Sequence, residues 1–451
     1  MKLKLKLIVP TWENKQKRKL KGMGFRWPPL NLPIIAALTP KDFDISIVDE
    51  NVDNIDWDDV PDIVGITCMT AQAPRAYAIA KRYREMGVKV VMGGMHPSAL
   101  PDESLQYANA VIIGEAELVW EKLLYDFKQG NLQKIYKSNK YPNLINMPLP
   151  RRDLLKLDRY IIFNTIQLFR GCPYNCSFCS VTRFFGNTYR ARPIDDVIRE
   201  INILRGTKLR SKIFAFVDDN IVGLPEYTKE LCRKLIPLKI WWGGQASIRV
   251  AEDVELVKLL AQSGCRALFI GFESVSQETL KEAHKSFVKV SKFVDAVKRL
   301  HDYGINVEGA FIFGFDSDDK SVFYRTVEFA DKMGVDAAQF GILTPFPGTT
   351  LWEKLEREGR ILIKDWSKYT IGKVVFKPKN MTPEELQEGT NWAWDTFYSL
   401  RKISKRLIRA LKRPGTILPV SLIQYSYRRH ISCARKAEKS KSTEFIENFC
   451  D

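Results

Sequence analysis

The chain has 451 residues, 45% of them hydrophobic and 27% charged, which is the composition of a folded globular protein and excludes a largely disordered one. Its length predicts two to four domains, and no run of about 18 apolar residues indicates a transmembrane helix. Three of the eight cysteines are clustered and five are scattered, so a secreted disulfide framework is not indicated. We therefore expect a protein of the reducing cytoplasm.

The net charge of +17 is concentrated near one end of the chain. Between Arg401 and Lys441 there are 13 lysines and arginines and one acidic residue, Glu438, which gives a local charge of +12. The remaining residues therefore carry only +5. This distribution predicts a nearly neutral body followed by a polycationic tail.

Residues 1–130 alternate short apolar runs with a helical pattern over about 73–86. The apolar runs predict strands at 4–10, 44–49, 63–69, 88–93 and 110–114. Such alternation favours a doubly wound, Rossmann-like parallel sheet, which binds ligands at the carboxyl ends of its strands. The residues at those ends are Thr67, Met69, Thr70, Gly93, Gly94, Gly114 and Glu115.

Residues 131–160 are rich in Lys, Asn and Pro and are predicted to form a linker. A second α/β region follows over 161–350, where six strand candidates separated by helical patterns predict a partial or full parallel barrel. Residues 351–451 are predicted to be a small α-rich region with one strand-like piece at 371–380. The six barrel candidates are 164–169, 212–218, 239–244, 267–272, 306–314 and 337–343.

The strongest chemical signal is the segment Gly171-Cys172-Pro-Tyr-Asn-Cys176-Ser-Phe178-Cys179, directly after the first barrel strand. Three thiolates on one loop can bind one small metal cluster, whereas ferredoxin-type clusters use four cysteines. A cluster with three protein ligands keeps one iron open for an exogenous ligand, which suits catalysis. The alternative is a structural zinc site completed by a distant His or Cys.

This CxxxCxφC pattern, with Phe178 as the aromatic residue, resembles the signature of the radical S-adenosylmethionine (SAM) superfamily. The resemblance implies a [4Fe–4S] cluster whose open iron chelates the amino and carboxylate groups of SAM. One-electron reduction by an external donor such as flavodoxin or ferredoxin then cleaves SAM. The resulting 5′-deoxyadenosyl radical can abstract hydrogen from unactivated carbon.

The same resemblance implies that SAM is held at the ends of the later barrel strands. The second strand would serve the amino group, the fourth the ribose and methionyl part, and the fifth the adenine, with further candidates after the third strand. Taken singly, an acidic pair after a strand more often caps a loop or a helix. In strand order, the implied residues are Asp218, Asp219, Asn220, Gln245, Arg249, Glu273, Ser274, Ile312 and Gly314.

The N-terminal region resembles the cobalamin-binding domain that is fused to many radical SAM enzymes. The resemblance rests on Pro28-Pro29-Leu30, Ile66–Thr70, Gly93-Gly94-Met-His96-Pro97 and Gly114-Glu115-Ala-Glu117. It implies that the small and polar residues at the strand ends contact cobalamin. The DxHxxG motif that supplies a histidine to cobalt elsewhere is absent, because the loop from Pro10 to Pro28 has no histidine. We therefore expect cobalamin without a protein histidine on cobalt; an empty Rossmann-like domain is the alternative.

The resemblance covers about residues 4–400 and is strongest to the subgroup that includes the hopanoid-methylating enzymes, on residues 178–190 and 359–384. It implies methyl transfer from SAM through cobalamin to an unactivated carbon of an apolar or lipid substrate. One alternative is a cyclase or a carbon–carbon bond-forming enzyme with the same cofactors. A tRNA methylthiolation enzyme would need further cluster cysteines near the N-terminus, and Cys68 alone cannot supply them. A membrane-associated iron–sulfur protein without catalysis is the remaining alternative.

The C-terminal segment 391–412 has an apolar stripe among arginines and lysines, which Pro414-Gly415 ends. An amphipathic, basic helix of this kind is typical of a helix lying on an anionic membrane. The alternative is a helix packed on the barrel, followed by a solvated basic tail. Nucleic-acid binding is less favoured, because no recognisable nucleic-acid module accompanies the charge. The stripe consists of Trp394, Phe397, Leu400, Leu407 and Leu411. We accordingly expect a cytoplasmic protein attached peripherally to the inner face of the membrane.

Overall fold

The computed structural model describes residues 2–11, 27–411, 413, 417, 420–429 and 431. The strands are β1 (Leu3–Val9), β2 (Phe43–Asp49), β3 (Ile63–Thr67), β4 (Lys89–Gly93), β5 (Ala110–Ile113), β6 (Ile135–Lys137), β7 (Asn164–Ile166), β8 (Phe169–Arg170), β9 (Arg190–Ala191), β10 (Ile213–Phe216), β11 (Trp241–Ala246), β12 (Cys265–Glu273), β13 (Asn306–Phe313) and β14 (Ala337–Ile342). The α-helices are α1 (Asn31–Leu38), α2 (Ala73–Glu85), α3 (Met95–Ala99), α4 (Pro101–Leu105), α5 (Trp120–Lys128), α6 (Val181–Phe185), α7 (Ile194–Leu204), α8 (Pro225–Leu235), α9 (Val254–Gln262), α10 (Gln277–Glu282), α11 (Phe293–Asp302), α12 (Val322–Met333), α13 (Thr350–Arg357), α14 (Pro383–Phe397) and α15 (Leu400–Leu411). A further helical segment covers 420–429.

The N-terminal region forms a six-stranded sheet in the order β2-β1-β3-β4-β5-β6, with every neighbouring pair parallel. Successive residues of a strand point to opposite faces, and here both faces are buried. In β4, Val90 and Met92 pack with α2 on one face, while Val91 packs with α5 on the other. Helices on both faces make this a doubly wound sheet, as the sequence predicted.

Strand β6 lies inside the segment 131–160 that was predicted to be a linker. It pairs in parallel with β5 and therefore extends the N-terminal sheet. Only Tyr136 of its three residues is buried, so the sequence contains no apolar run that would reveal it. The tyrosine hydroxyl donates to Asp126 Oδ2 on α5 at 2.9 Å, which fixes this edge strand to the sheet.

The second region forms a six-stranded parallel sheet in the sequential order β7-β10-β11-β12-β13-β14. Apart from β8 and β9, which form a separate hairpin, each strand pairs with the next one along the chain. Strands β7 and β14 are the two edges, which is the topology of a partial (β/α)6 barrel. The first predicted strand, 164–169, ends at Ile166, because β8 pairs instead in antiparallel fashion with β9. The remaining predicted barrel strands are present with small shifts at their ends.

The C-terminal region covers the edge strand β14. The Tyr398 hydroxyl donates to Ala338 O at 2.8 Å and accepts from Ala338 N, and Trp394 Nε1 donates to Phe340 O at 2.8 Å. Exposed strand edges invite pairing with other chains, and these contacts satisfy the free backbone groups. The piece predicted as a strand at 371–380 is an isolated bridge between Ile361 and Phe376 instead. The consecutive residues Val375 and Phe376 at this bridge are both buried. In a half-buried strand, successive side chains would instead alternate between the core and the solvent.

Among the described residues, none of the helices combines the length and the hydropathy needed to cross a bilayer.

Candidate cofactor site

The cysteine loop begins at a glycine whose backbone conformation a larger residue would not tolerate. Gly171 has a φ of +86°, and a Cβ atom at this position would lie 2.1 Å from Thr188 O. The loop then folds against α6, because Thr182 Oγ1 donates to Cys172 O at 3.1 Å and to Tyr174 O at 3.0 Å. Cys172 N also donates to Gly186 O at 3.1 Å. The first ligand is therefore anchored by the β8–β9 hairpin and by the helix between its strands.

The three thiols of this loop are half-buried and lie near one another. Burial raises the pKa of Cys176 to about 11, and the charge of Lys285 opposes that rise. Burial raises the pKa of Cys179 to about 12, and the neighbouring Cys176 and Cys172 add to the rise. The thiols are therefore protonated at neutral pH in the metal-free protein, and metal binding must displace these protons.

The donor set fits a [4Fe–4S] cluster with one open iron. The other cysteines of the described part, Cys68, Cys232 and Cys265, are buried in the hydrophobic cores and away from the loop. Within the same part of the chain, no three His, Cys, Asp or Glu side chains converge as ligands of one ion. Three thiols on one loop, with the other described cysteines away from them, are the donor set of a cluster that keeps one iron open.

A buried ion pair lies beside the thiols. Lys285 Nζ donates to Glu273 Oε1 at 2.7 Å and to Gly271 O at 2.8 Å, and both side chains of the pair are about one-tenth exposed. Glu273 has a φ of +62° at the end of β12, where the pairing with β13 shifts register. Burial lowers the pKa of Lys285, but the ion pair with Glu273 outweighs this effect and leaves the pKa above its ordinary value. Lys285 was not predicted, since nothing in its local sequence distinguishes it from other loop lysines.

Asn220 connects the second and third barrel strands with the first cysteine. Its Oδ1 accepts from Ser247 N at 3.0 Å, and its Nδ2 donates to the Tyr189 hydroxyl at 2.9 Å. That hydroxyl lies 3.9 Å from Cys172 Sγ. Tyr189 belongs to the stretch 178–190 that carried the family resemblance, but no local pattern distinguishes it from its neighbours there. The tyrosine completes a polar bridge from Asn220 to the cluster loop.

The neighbouring acids Asp218 and Asp219 have different environments. Asp218 is buried and accepts from Leu168 N at 2.8 Å and from Phe169 N at 2.6 Å, which holds the turn between β7 and β8. Burial raises the pKa of Asp218 to about 7, against the effect of these two donors. Asp219 is exposed, and its charge raises the pKa of Cys172, after the larger effect of burial. Of these two acids, therefore, only Asp219 presents its carboxylate to the cysteine loop.

Of the three remaining polar candidates, one contacts the cysteine loop, one is exposed, and one is engaged in a turn. Gln245 is exposed at the end of β11. Arg249 is exposed, pairs with Glu252 at 3.2 Å, and lies 3.4 Å from the Tyr174 hydroxyl of the cysteine loop. Ser274 is buried, and its hydroxyl accepts from Ser276 N at 3.1 Å, so its oxygen already serves the turn before α10.

The apolar candidates lie where the fifth barrel strand meets the loop. The Phe178 ring packs edge-on against Phe315, with 6.1 Å between ring centroids. Ile312 is half-buried on the face of β13 opposite to its core residues Phe311 and Phe313. Gly314 is buried directly after the strand, and its N–H donates to Asp318 Oδ2 at 3.0 Å. The end of β13 thus reaches the aromatic residue of the cysteine motif.

The carboxyl edge of the N-terminal sheet has a tightly packed part at Gly94. This residue has a φ of +100°, and a Cβ atom there would lie 2.8 Å from Thr67 Oγ1 and 2.9 Å from Cys68 O. Thr67 Oγ1 also accepts from Asn31 Nδ2 at 3.2 Å. At the end of β4, Gly93 keeps its Cα near Ile112, where a Cβ atom would make an ordinary contact at 3.7 Å.

The neighbouring part of the same edge is open. A Cβ atom at Gly114 would meet no atom within 4 Å, so space for a ligand exists beside this backbone. Met69 follows β3 and is 56% exposed. Thr70, in contrast, is buried. An open backbone and an exposed methionine at the edge where such sheets bind ligands fit a large cofactor such as cobalamin.

The described histidines do not present a ring at this edge. His96 is buried, with its Nε2 2.9 Å from the Tyr77 hydroxyl and its ring against Trp366. His301 bonds to Asp336, and His284 lies beside the cysteine loop. The loop from Pro10 to Pro28 contains no histidine and lies mostly outside the described residues.

Glu115, which was predicted as a cobalamin contact, takes part in a group of ion pairs. Its two oxygens pair with Arg170 Nη1 and with Arg190 Nη2, each at 2.5 Å, and Glu117 pairs with Arg170 at 2.5 Å. Arg170 ends β8, two residues before Cys172, while both glutamates follow β5. These four side chains, which we call the ion cluster, are at most 17% exposed. The ion cluster therefore joins the ligand-binding edge of the N-terminal sheet directly to the cysteine loop.

Comparisons with known proteins agree with this two-part site. Residues 166–330 match the radical SAM superfamily, residues 21–124 match the B12 binding domain, and residues 349–419 match a domain of unknown function, DUF4070. The chain is 32% identical over 408 residues to the bacteriochlorophyllide d C-12(1)-methyltransferase of Chlorobaculum tepidum, covering 84% of this chain and 89% of that protein. It is 27% identical over 349 residues to the hopanoid C-2 methylase of Rhodopseudomonas palustris, covering 75% and 66%.

Among solved structures, the fold is similar to that of TsrM from Kitasatospora setae, a radical SAM methyltransferase with cobalamin and a [4Fe–4S] cluster bound. The TM-score is 0.66 at 17% sequence identity, over 86% of this chain and 85% of that one. The chain belongs to the cobalamin-binding radical SAM enzymes, the methyltransferase-like family that its motifs resembled. Its cofactors are a [4Fe–4S] cluster, SAM and cobalamin, which sets aside both the zinc site and the empty N-terminal domain.

Proposed function

We propose that this enzyme transfers a methyl group from SAM, by way of cobalamin, to an unactivated carbon of an apolar or lipid substrate. The observation that carries the proposal is the ion cluster, in which Glu115 and Glu117 of the cobalamin-binding edge pair with Arg170 of the cysteine hairpin. A reaction that needs a carbon radical and a methyl carrier together requires both cofactors beside one substrate. The names of the two relatives specify methylation at a carbon, which supports the same reaction here.

The chain's own residues would hold and orient the cofactors. When bound, the cluster with SAM supplies a hydrogen-abstracting radical, and cobalamin supplies a carrier for the methyl group. Cys172, Cys176 and Cys179 would bind the cluster. Asp219 offers a carboxylate to the amino group of SAM, and Lys285 offers an ammonium to its carboxylate, because charged hydrogen bonds of this kind are strong and specific.

The other contacts that we propose fall into two sets. Asp218 and Glu115 would act as positioning residues, since Asp218 Oδ1 holds the turn before β8 and both oxygens of Glu115 belong to the ion cluster. The proposed SAM contacts are Phe178, Asn220, Gln245, Arg249, Glu273, Ser274, Ile312 and Gly314. The proposed cobalamin contacts are Thr67, Met69, Thr70, Gly93, Gly94 and Gly114.

The character of the barrel interior supports an apolar substrate. Phe311 and Phe313 of β13 pack outward against the helices. Because successive side chains of a strand point to opposite faces, Ala310 and Ile312 face the barrel interior. On β12 the half-buried Phe269 has the same orientation as these interior residues. Small and apolar side chains therefore line the upper part of the interior between these two strands, and Glu308, which is bonded to Gln339 and Tyr427, lies below them on the same face of β13.

The proposal includes a partner and a location. The half-buried thiol loop leaves the cluster within reach of an external one-electron donor, for which we propose a flavodoxin or a ferredoxin. We also propose that the enzyme works in the cytoplasm, at the inner face of the membrane where an apolar substrate would be dissolved.

The test uses the reconstituted enzyme with cobalamin, a reductant, SAM carrying a deuterated methyl group, and a lipid extract of the source cells. We expect 5′-deoxyadenosine and S-adenosylhomocysteine to form together, and deuterium to appear in one lipid. A cyclase or coupling enzyme would form 5′-deoxyadenosine without S-adenosylhomocysteine. The Cys176→Ala variant is the control, because it should form no 5′-deoxyadenosine. Cobalamin-independent turnover, or label that never enters a lipid, would contradict the proposal.

A further inference from the structure

The C-terminal apolar stripe predicted from the sequence is divided between two environments. Phe397 is fully buried against the barrel, and Trp394 donates Nε1 to Phe340 O at 2.8 Å. Leu407 is half-buried, whereas Leu400 and Leu411 are about two-thirds exposed. The two aromatic residues therefore belong to the cover of β14, and they cannot enter a membrane while the barrel is folded.

The inner side of α15 carries cations that the barrel neutralises. Arg406 is 1% exposed, lies over the Phe397 ring at 3.9 Å, and pairs with Asp331 at 3.3 Å. Lys402 pairs with the same aspartate at 2.5 Å, and Arg413 pairs with Asp336. Three of the 13 basic residues of the tail are thus paired with aspartates of the barrel. The charge available to a partner must come from the outer side.

The outer side is apolar over part of its width. Leu400, Ile408 and Leu411 of α15 are 67%, 59% and 66% exposed. At about 100° per residue, these positions lie on one arc, opposite to the buried Arg406 and Ala410. In the next helical segment, 420–429, Leu422 and Tyr425 are 58% and 63% exposed, whereas Val420 and Gln424 are buried. Five large apolar side chains therefore face away from the barrel.

Basic side chains border this apolar arc. Arg401 and Lys405 on α15 and Arg428 and Arg429 on 420–429 are exposed, and none of them has an acidic partner among the described residues. The sequence has no Asp or Glu between residues 396 and 437. The positive field of these four side chains is therefore not offset by acids of the same segment.

The two helical segments present these groups in one direction. Arg406 Nη2 donates to Gln424 Oε1 at 3.1 Å, and Gln424 Nε2 donates to Asp336 O, so both inner faces pack on the same side of the barrel. Their outer faces must then point away from that side together. We call this combined surface, formed by the five apolar and four basic side chains, the outer face.

We propose that the outer face docks on an anionic membrane. A lipid surface of negative charge matches both components, because the apolar side chains enter the interfacial layer while the bases meet the headgroups. A nucleic acid would use the bases but would leave the leucines exposed to water. Since the inner sides of the same segments pack on Asp331 of α12 and on Asp336, just before β14, docking would bring this side of the barrel next to the lipid. This inference deepens the proposed function, because it supplies the phase in which an apolar substrate would be found.

The test measures sedimentation of the full-length holoenzyme with vesicles of phosphatidylcholine, with and without one-third phosphatidylglycerol. We expect binding only to the anionic vesicles at low salt, and release as salt is raised. The double variant Arg401→Gln/Lys405→Gln removes two positive charges and should bind about 30-fold more weakly, because each base near such a surface contributes on the order of fivefold. The matched control, Lys89→Gln/Lys258→Gln, neutralises two exposed lysines outside the C-terminal region and should bind as the parent does.

A second variant tests the apolar component. Leu400→Ser/Ile408→Ser should lower vesicle binding at least tenfold while leaving the iron and cobalamin content unchanged, because both side chains are exposed. Equal binding to neutral and anionic vesicles, equal loss in the lysine control, or tighter binding to tRNA than to vesicles would overturn the inference. Formation of S-adenosylhomocysteine by the enzyme in detergent solution tests methyl transfer separately, so failure of membrane docking and failure of the proposed function remain distinguishable.

Discussion

The two cofactor regions of this enzyme are built in opposite ways. The cysteine loop would use side chains, since Cys172, Cys176 and Cys179 are the residues that we propose as ligands of the cluster irons. The edge of the N-terminal sheet uses the lack of side chains, because Gly94 allows a close approach and Gly114 leaves open space. A site formed by ligating side chains can be predicted from residue types and their spacing. A site formed by the space beside the backbone can be predicted only from the three-dimensional course of the chain.

This contrast has an energetic side. Each thiolate is one of only three protein ligands, so the loss of one removes a third of the protein's hold on the cluster. Cobalamin contacts are spread over several strand ends, so the loss of one should weaken binding without abolishing it. The ion cluster of Glu115, Glu117, Arg170 and Arg190 belongs to neither region alone, and it makes each depend on the other. Substitutions in the three places should therefore have graded effects.

The largest effect is expected at the cysteine loop. Cys176→Ala should eliminate the cluster, because two thiolates cannot hold the iron core against solvent. Iron and sulfide analysis after anaerobic reconstitution measures this. Cys232→Ala and Cys265→Ala are the controls, since both thiols are buried in the barrel core and away from the loop. Full iron content in Cys176→Ala would remove the basis for the cluster assignment.

The next largest effect is expected at the ion cluster. Arg170→Met leaves Glu115 and Glu117 buried without their shared cation, which should lower the free energy of unfolding by about 3–5 kcal/mol. Urea denaturation of the protein without its iron–sulfur cluster measures this change. Arg183→Met is the matched control, because its pair with Glu353 is exposed and 3.8 Å long, and it should cost less than about 1 kcal/mol. Equal losses in the two variants would show that the ion cluster does not join the regions energetically.

The sequence predicted what depends on pattern and missed what depends on long-range packing. The buried strands of both sheets and the cysteine loop follow from apolar runs and from thiol spacing, and the structure has them in the predicted places. Strand β6 was missed because only Tyr136 of it is buried. The ion pairs of Glu115 were not predicted because its partners, Arg170 and Arg190, are 55 and 75 residues away. No local signal can reveal such a pairing.

The C-terminal tail illustrates the same limit. Its amphipathic pattern was recognised, but helical periodicity does not say which face meets the barrel. The structure turns Phe397 and Arg406 inward and Ile408 outward. A buried arginine on the inner face is unexpected from the sequence, and it is accommodated by Asp331 and by the Phe397 ring. Partners contributed by distant elements decide the orientation.

A smaller effect is expected from pH at Asp218. Its folded-state pKa of about 7 lies above the ordinary value of 3.8, so the folded protein binds a proton that the unfolded chain releases. This contribution to stability is complete below about pH 4 and is lost as pH rises through about 7. The variant Asp218→Asn cannot ionise but keeps the acceptor for Leu168 N and Phe169 N. Between pH 5 and pH 8, the parent should therefore lose roughly 2–4 kcal/mol relative to this variant. Parallel denaturation profiles of the two proteins over this range would contradict the prediction.

The smallest effects are expected at the two glycines of the N-terminal edge, and they return to the contrast between the regions. Gly94→Ala forces a Cβ atom to 2.8 Å from Thr67 Oγ1 in a left-handed conformation, which should cost about 1–3 kcal/mol of unfolding free energy. Gly114→Ala has a φ of +81° but open space, so only the conformational cost of about 1 kcal/mol is expected. If cobalamin occupies that space, the added methyl group at Gly114 should lower cobalamin retention although it barely affects the apoprotein.

Comparing retention with stability for the two variants therefore separates architecture from ligand contact. Gly94→Ala should lose cobalamin in proportion to its loss of stability, because its methyl group meets the protein. Gly114→Ala should lose more cobalamin than its stability accounts for, because its methyl group meets only the open space beside the strand end. Absorbance of bound cobalamin after gel filtration, together with urea midpoints of the apoproteins, gives both quantities. Unchanged retention in Gly114→Ala would mean that the cofactor does not approach this strand end, and the contact residues would then have to be sought near Met69.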